Sequence, residues 1–175
     1  MLGVKAQVLV DFIVENNTRS ADGAPSQKKT PEAVPKWILH VDGASNDKGI
    51  GAGILSQGAD GEQFEYALRF SFKATNNEAE YEAMVTETGL QMANTLYINR
   101  LIVRGDSKLV IEQVRGDCGV KNDTLKKYHA KAILLAQKFE YVIFEHIPRT
   151  QNEHADHLSC LAITYFDEMP SHVKI

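Results

Sequence analysis

The chain has 175 residues, 43% apolar and 24% charged, a composition that fits one globular domain with tails and excludes wholesale disorder. Its net charge of −4 excludes binding nucleic acid by bulk positive charge, yet suits an enzyme whose acids hold metal ions. No window approaches about eighteen uncharged apolar residues, so no membrane span is expected, and two cysteines outside any Cys-x-x-Cys pair, Cys118 and Cys160, point to a reducing, intracellular compartment.

The apolar start, Met1 to Val14, is interrupted by Asp11 and has no small-residue cleavage site, so it does not read as a signal peptide. Lys5 to Val14 fits about two and a half helical turns. Residues 15–35 hold Pro25, Pro31 and Pro35 among Asn, Ser, Gly and Lys, which reads as a linker. Residues 1–35 are thus expected to be an arm that the following domain does not need.

From Trp37 the pattern becomes regular. Trp37 to Asp42 is a short strand ending in an acid, Gly49 to Ser56 is a glycine-rich second, and Asp60-Gly61 signals a hairpin. Phe64, Tyr66, Leu68, Phe70 and Phe72 then alternate with the period of a half-buried strand. Glu78 to Asn94, rich in Glu, Ala, Met and Leu, predicts a long helix capped by Thr75 or Asn76. Arg100 to Asp106 is a buried-type strand that also ends in an acid. Ser107 to Val114 is a short helix, and 116–122 is a loop. Thr124 to Phe139 is an amphipathic helix with Leu125, Tyr128, Ala132, Leu135 and Phe139 on one stripe. Tyr141 to Ile147 is a fifth strand, and Asn152 to Ile163 is a last helix. The order implies an α/β domain over 36–165. Three antiparallel strands and two parallel ones form a five-stranded mixed sheet flanked by helices, with 166–175 as a tail.

Acids mark the element ends. Asp42 and Asp106 close the first and fourth of these strands, while Glu80 and Asp156 lie about one turn into two helices. If those strands are neighbours, Asp42 and Asp106 emerge side by side and the helix-borne acids can reach them. Converging carboxylates repel and raise one another's pKa. A divalent ion relieves that, and an all-oxygen donor set selects Mg²⁺, or Mn²⁺ in its place. Two such ions serve phosphodiester hydrolysis. Any one such acid, taken singly, is an ordinary surface residue.

The surrounding motifs distinguish the set. Val41-Asp42-Gly-Ala-Ser, Thr75-Asn-Asn-Glu-Ala-Glu80-Tyr, Gly105-Asp106-Ser-Lys-Leu-Val and Pro148-Arg-Thr-Gln-Asn-Glu-His-Ala-Asp156-His-Leu resemble the four acidic motifs of type I ribonuclease H, in order, over Trp37 to Ala162. Ala67 to Ala83 is more closely similar to the ribonuclease H domain of gypsy-type long-terminal-repeat retrotransposon polyproteins. Lys5 to Ile13 resembles the segment that ends the preceding reverse transcriptase. The resemblance implies a ribonuclease H-like fold and a hydrolase, monomeric as an isolated domain, that cuts the RNA strand of RNA–DNA hybrids with two Mg²⁺ ions and leaves a 5′-phosphate. It implies that Asp42 bridges both ions, that Glu80 and Asp106 complete one site, and that Asp156 completes the other.

By the same resemblance Asn76 and Asn77 read the RNA 2′-hydroxyl, while Thr75 and Lys73 hold a DNA phosphate. An amide suits the first task, since it both donates to and accepts from a hydroxyl. His146, ten residues before Asp156, matches a histidine that assists product release. Family spacing selects Glu80 over Glu78, leaving Glu78 and Glu82 as solvated helix acids. His154 and His157 read as surface residues. Arg115, Lys121, Lys126, Lys127 and Lys131 offer a weakly basic surface for phosphates. The chain is about two residues longer than its gypsy-type relatives around Val85 to Thr88, which would rotate a regular helix by roughly 200° and so predicts a break there. A catalytically weak or inactive domain that binds nucleic acid by shape is the competing reading.

Overall fold

A computed structural model of the chain describes residues 6–10, 37–85 and 89–168. Its strands are β1 (Ala6–Val10), β2 (Trp37–Asn46), β3 (Gly49–Gln57), β4 (Gln63–Phe70), β5 (Arg100–Gly105) and β6 (Tyr141–His146). Its helices are α1 (Asn76–Val85), α2 (Leu90–Thr95), α3 (Lys108–Arg115), α4 (Asp123–Ala136) and α5 (Glu153–Glu168), the last preceded by a 3₁₀ turn, Arg149–Gln151.

The strands lie in the order β1-β4-β3-β2-β5-β6. β2, β3 and β4 form the antiparallel meander, and β5 and β6 add in parallel, which is the expected five-stranded mixed sheet. A parallel strand needs a crossover, and here each crossover carries helices. β2 pairs with β5 through His40 opposite Arg104, so Asp42 and Asp106 each lie two residues beyond a shared rung. Alternation along β2 turns Leu39 and Val41 into the main core beside Tyr81, Met84, Leu101, Val103, Ile111 and Leu125. The odd-numbered residues of β2 therefore face α1, and Asp42 faces the opposite side of the sheet, where α5 packs on β3.

Four sequence expectations need correction. Ala6–Val10 is a strand, pairing antiparallel with β4 from Ala6 opposite Phe70 to Val10 opposite Tyr66. It is not a free helical stub: a short apolar run carries no period that separates helix from strand, and the open edge of β4 supplies backbone partners. The first strand of the meander runs on to Asn46, so Asp42 lies in the middle of β2 rather than at its end. The helix expected over 78–94 has the expected break: α1 ends at Val85 and α2 starts at Leu90 after Gly89, whose ψ of −120° is not helical. The Thr86-Glu87-Thr88 part of the extra-residue segment lies outside the described residues. The last helix runs on to Glu168 rather than ending at Ile163, into the stretch expected as a tail, and 169–175 lie outside the described residues. Glu82 is buried at 6% exposure rather than solvated. Burial, together with a hydrogen bond to the Glu82 carboxylate, drives the pKa of the Tyr128 phenol up.

Candidate active site

A glycine sets the approach of the first helix to the sheet. A β-carbon on Gly43 would lie 2.2 Å from the Ala79 carbonyl carbon, so only glycine lets α1 rest there. That contact brings the Glu80 carboxylate to the Gly43 backbone N–H. Asp42, one residue earlier, is 4% exposed. Asp106 follows the end of β5. One carboxylate oxygen from each of Asp42, Glu80 and Asp106 lies within 4.8 Å of the others.

The electrostatics follow from that crowding. Burial, reinforced by Asp42 and Asp106, pushes Glu80 up to about 9. Burial also raises Asp42 to about 6, against a hydrogen bond from Ser159 and with help from Asp106 and Asp156. Carboxylates this close favour shared protons or a bound cation. The donors are all hard oxygens, and the set fits Mg²⁺ or Mn²⁺.

Asp156, on the first turn of α5, stands outside the triad. It accepts from Arg149 Nη2 at 2.5 Å. Arg149 itself is solvent-facing, with 73% side-chain exposure, so the pair sits at the mouth of the site. Asn152 braces the interior. It is 1% exposed and donates through Nδ2 to the Val41 carbonyl at 2.9 Å and to Asp106 Oδ1 at 3.2 Å. One amide thus ties the middle of β2, the residue after β5 and the start of α5 together. His146 is the last residue of β6, opposite Gly105, and is solvent-exposed beside Lys108 and Glu112 in an open groove of about 870 Å³. Strand pairing holds it next to the Asp106 end of β5.

The Thr75 to Glu80 stretch divides its labour. Thr75 N donates to Glu78 Oε2 at 2.7 Å, and Glu78 N donates to Thr75 Oγ1 at 3.3 Å, a reciprocal capping box at the start of α1. The cap therefore uses neither asparagine amide. Asn76 is exposed and Asn77 partly so, with Lys73 and Thr75 exposed just before them. Ser45 Oγ donates to the Ala74 carbonyl at 2.6 Å, fixing this turn to β2. Lys121, Lys126, Lys127 and Lys131 are exposed on α4 and the loop before it, though Lys126 is paired with Asp123.

Three residues here carry roles that motif reading left unassigned: Arg149, Asn152 and Ser159. The signal for Ser159 was a hydroxyl on the inner face of the last helix, among the buried Ala155, Leu158 and Ala162 and one turn after Asp156.

A family model described as reverse transcriptase-like matches residues 40–162. Ribonuclease HI of Halobacterium salinarum is 32% identical over 138 residues, 79% of this chain and 59% of its own length. The bifunctional protein Rv2228c of Mycobacterium tuberculosis is 40% identical over 87 residues, 50% of this chain and 23% of that protein. The chain thus spans less than two thirds of these curated relatives. Among solved structures, the N-terminal RNase H domain of Rv2228c superposes with a TM-score of 0.69 at 32% identity, covering 75% of this chain and 96% of that one. LC11-RNase H1, isolated from compost and solved in complex with an RNA/DNA hybrid, gives 0.66 at 28% identity, covering 74% and 98%.

Proposed function

The chain belongs to the reverse transcriptase-like family, whose matched segment contains Asp42, Glu80, Asp106 and Asp156, and on that premise we propose that it hydrolyses the RNA strand of RNA–DNA hybrids. The observation that carries this reading is the approach of Asp42, Glu80 and Asp106 to within 4.8 Å, each brought there by a different element. An inactive domain with inherited shape has no need to keep three buried or half-buried carboxylates in mutual repulsion. The likeness to a ribonuclease H solved on an RNA/DNA hybrid supports the choice of substrate.

In this reading Asp42, Glu80 and Asp106 would hold one divalent ion, and Asp156 would help to hold a second. Such ions supply charge neutralisation at the phosphodiester and activation of the attacking water. The protein does the rest. Asn77 and Asn76 pair with 2′-hydroxyls and so select the RNA strand, a role supported by a capping box built from Thr75 and Glu78, which leaves both amides out of the cap. Lys73 and Thr75 grip a phosphate of the DNA strand, Lys73 as a point charge. His146, exposed at the end of β6, accepts or donates a proton as product leaves.

The wider context belongs to the same proposal. The sequence from Ala67 to Ala83 and from Lys5 to Ile13 supports an origin in a gypsy-type retrotransposon polyprotein, downstream of its reverse transcriptase, acting as a monomer in a reducing intracellular compartment. The deciding assay uses the purified chain with labelled hybrid, duplex RNA and duplex DNA, under Mg²⁺, Mn²⁺ or chelator. Metal-dependent cleavage confined to the RNA of the hybrid is expected. Cleavage that survives chelation, or equal cleavage of all three substrates, would refute the reading.

A further inference from the structure

We propose that Ser159 is a positioning residue that fixes the carboxylate of Asp42 for divalent-metal binding, an inference that rests on the metal-dependent reading above. Ser159 is fully buried, and its hydroxyl hydrogen-bonds Asp42 Oδ2. The same hydroxyl lies 2.9 Å from the Asp156 carbonyl, but a hydroxyl has one proton, and a carboxylate is the stronger acceptor. Asp42 is a short side chain at 4% exposure, so water has little access to orient it.

The backbone of Ser159 is itself wedged in place. A β-carbon on Gly51 would lie 2.2 Å from the Ser159 carbonyl oxygen, and one on Gly53 would lie 2.6 Å from the Ser159 amide nitrogen. Gly53 is the direct partner of Asp42 across the β2–β3 ladder. Two glycines on β3 thus form a trough that seats one residue of α5, and that seat puts its hydroxyl beside the carboxylate on the adjacent strand. The position of the donor is set by close-packed backbone, not by a mobile side chain. A carboxylate anchored at one oxygen loses rotational freedom before the cation arrives, which lowers the cost of binding. Alanine would fill the seat without the donor.

The test is a direct Mn²⁺ titration, read as free Mn²⁺ by electron paramagnetic resonance, on wild type, Ser159→Ala and Asp42→Asn. Partners that orient metal ligands are worth roughly 10- to 100-fold in affinity, so Ser159→Ala is expected to need about that much more Mn²⁺ for half-saturation. With hybrid present, the same variant should need correspondingly more metal to reach half its maximal rate. Unchanged half-saturation in Ser159→Ala, with binding lost in Asp42→Asn, would overturn the role of Ser159 and leave the metal centre standing. Tighter Mn²⁺ binding by Ser159→Ala would overturn it too, showing that the hydroxyl competes with the ion. Full binding by Asp42→Asn would instead defeat the metal-centre reading itself. A fall in thermal midpoint without a shift in half-saturation would mark Ser159 as packing only.

Discussion

Thr75 and Glu78 satisfy each other across the first turn of α1, the backbone N–H of each donating to the side chain of the other. Glu78 therefore spends its carboxylate on the helix end, and Glu80, two residues on, turns toward Asp42 and Asp106. A glutamine keeps the cap, since it also serves in a capping box. Glu78→Gln is expected to retain cleavage within a few-fold, with little change in thermal midpoint. Glu80→Gln should lose it by orders of magnitude. Equal losses in the two would break the assignment.

Asp42→Asn tests the centre of the cluster. Cleavage of hybrid should fall by several orders of magnitude, because metal-assisted activation of water supplies much of the rate. Hybrid binding, measured by anisotropy, should persist through Asn76, Asn77, Thr75 and Lys73. In chelator at pH 8 the variant should be as stable as wild type or more so, since one charge leaves a repulsive set. Wild-type cleavage by this variant would contradict the mechanism.

Acid–base behaviour offers a separate check. Asp42 sits at about 6 against its usual 3.8, and Glu80 at about 9 against 4.5. Both hold protons in the folded chain that the unfolded chain has released, so their contribution to metal-free stability is full below about pH 4. It is lost as pH rises through about 6 and then about 9. The thermal midpoint in chelator should decline between about pH 5 and about pH 9, and saturating Mn²⁺ should flatten the decline. Calorimetry of Mn²⁺ uptake near neutral pH, repeated in buffers of different ionisation enthalpy, should show release of about one proton, from Glu80. A midpoint that climbs across this range in chelator would be inconsistent with the raised values.

His146 should prove an assistant. Its strand pairing leaves little room for the swing of a loop residue. His146→Ala is expected to slow multiple turnover by about 10-fold, within the range of a general acid–base contribution, while single-turnover cleavage stays near wild type. Identical multiple-turnover rates, where release limits, would remove His146 from the reaction.

Removing residues 1–35 is expected to leave the fold and the metal titration intact but to uncover the β4 edge that Ala6–Val10 pairs with. An exposed edge strand recruits other chains, so the truncated protein should self-associate in sedimentation at concentrations where the full chain does not. Unaltered sedimentation would show that the β4 edge is protected by other means.

What the sequence disclosed depended on whether the cause was local. Asp106 at the end of β5, the cap at Thr75 and the meander were all visible, because period, turn residues and caps are written within a few positions, whereas β2 runs four residues past Asp42, where it was expected to end. Glu82 was misread because its partner Tyr128 lies 46 residues away on α4, and no local feature tells a solvated helix acid from a buried one. Ser159 and Asn152 act through contacts spanning 117 and 111 residues. Ala6–Val10 is short enough that only the waiting edge of β4 decides its conformation.

The shared rung of His40 and Arg104 has a consequence for assembly. Side chains alternate along a strand, so a slip of one residue between β2 and β5 would send Asp42 into the apolar layer and pull a core residue into the site. Such a misaligned chain would hide a charge and lose its cation at once. If the site binds a divalent ion as proposed, its affinity for that ion would double as a proofreading signal. At metal concentrations above the dissociation constant, only chains in the native alignment gain the extra stability, and newly made protein is sorted toward the one arrangement that can act.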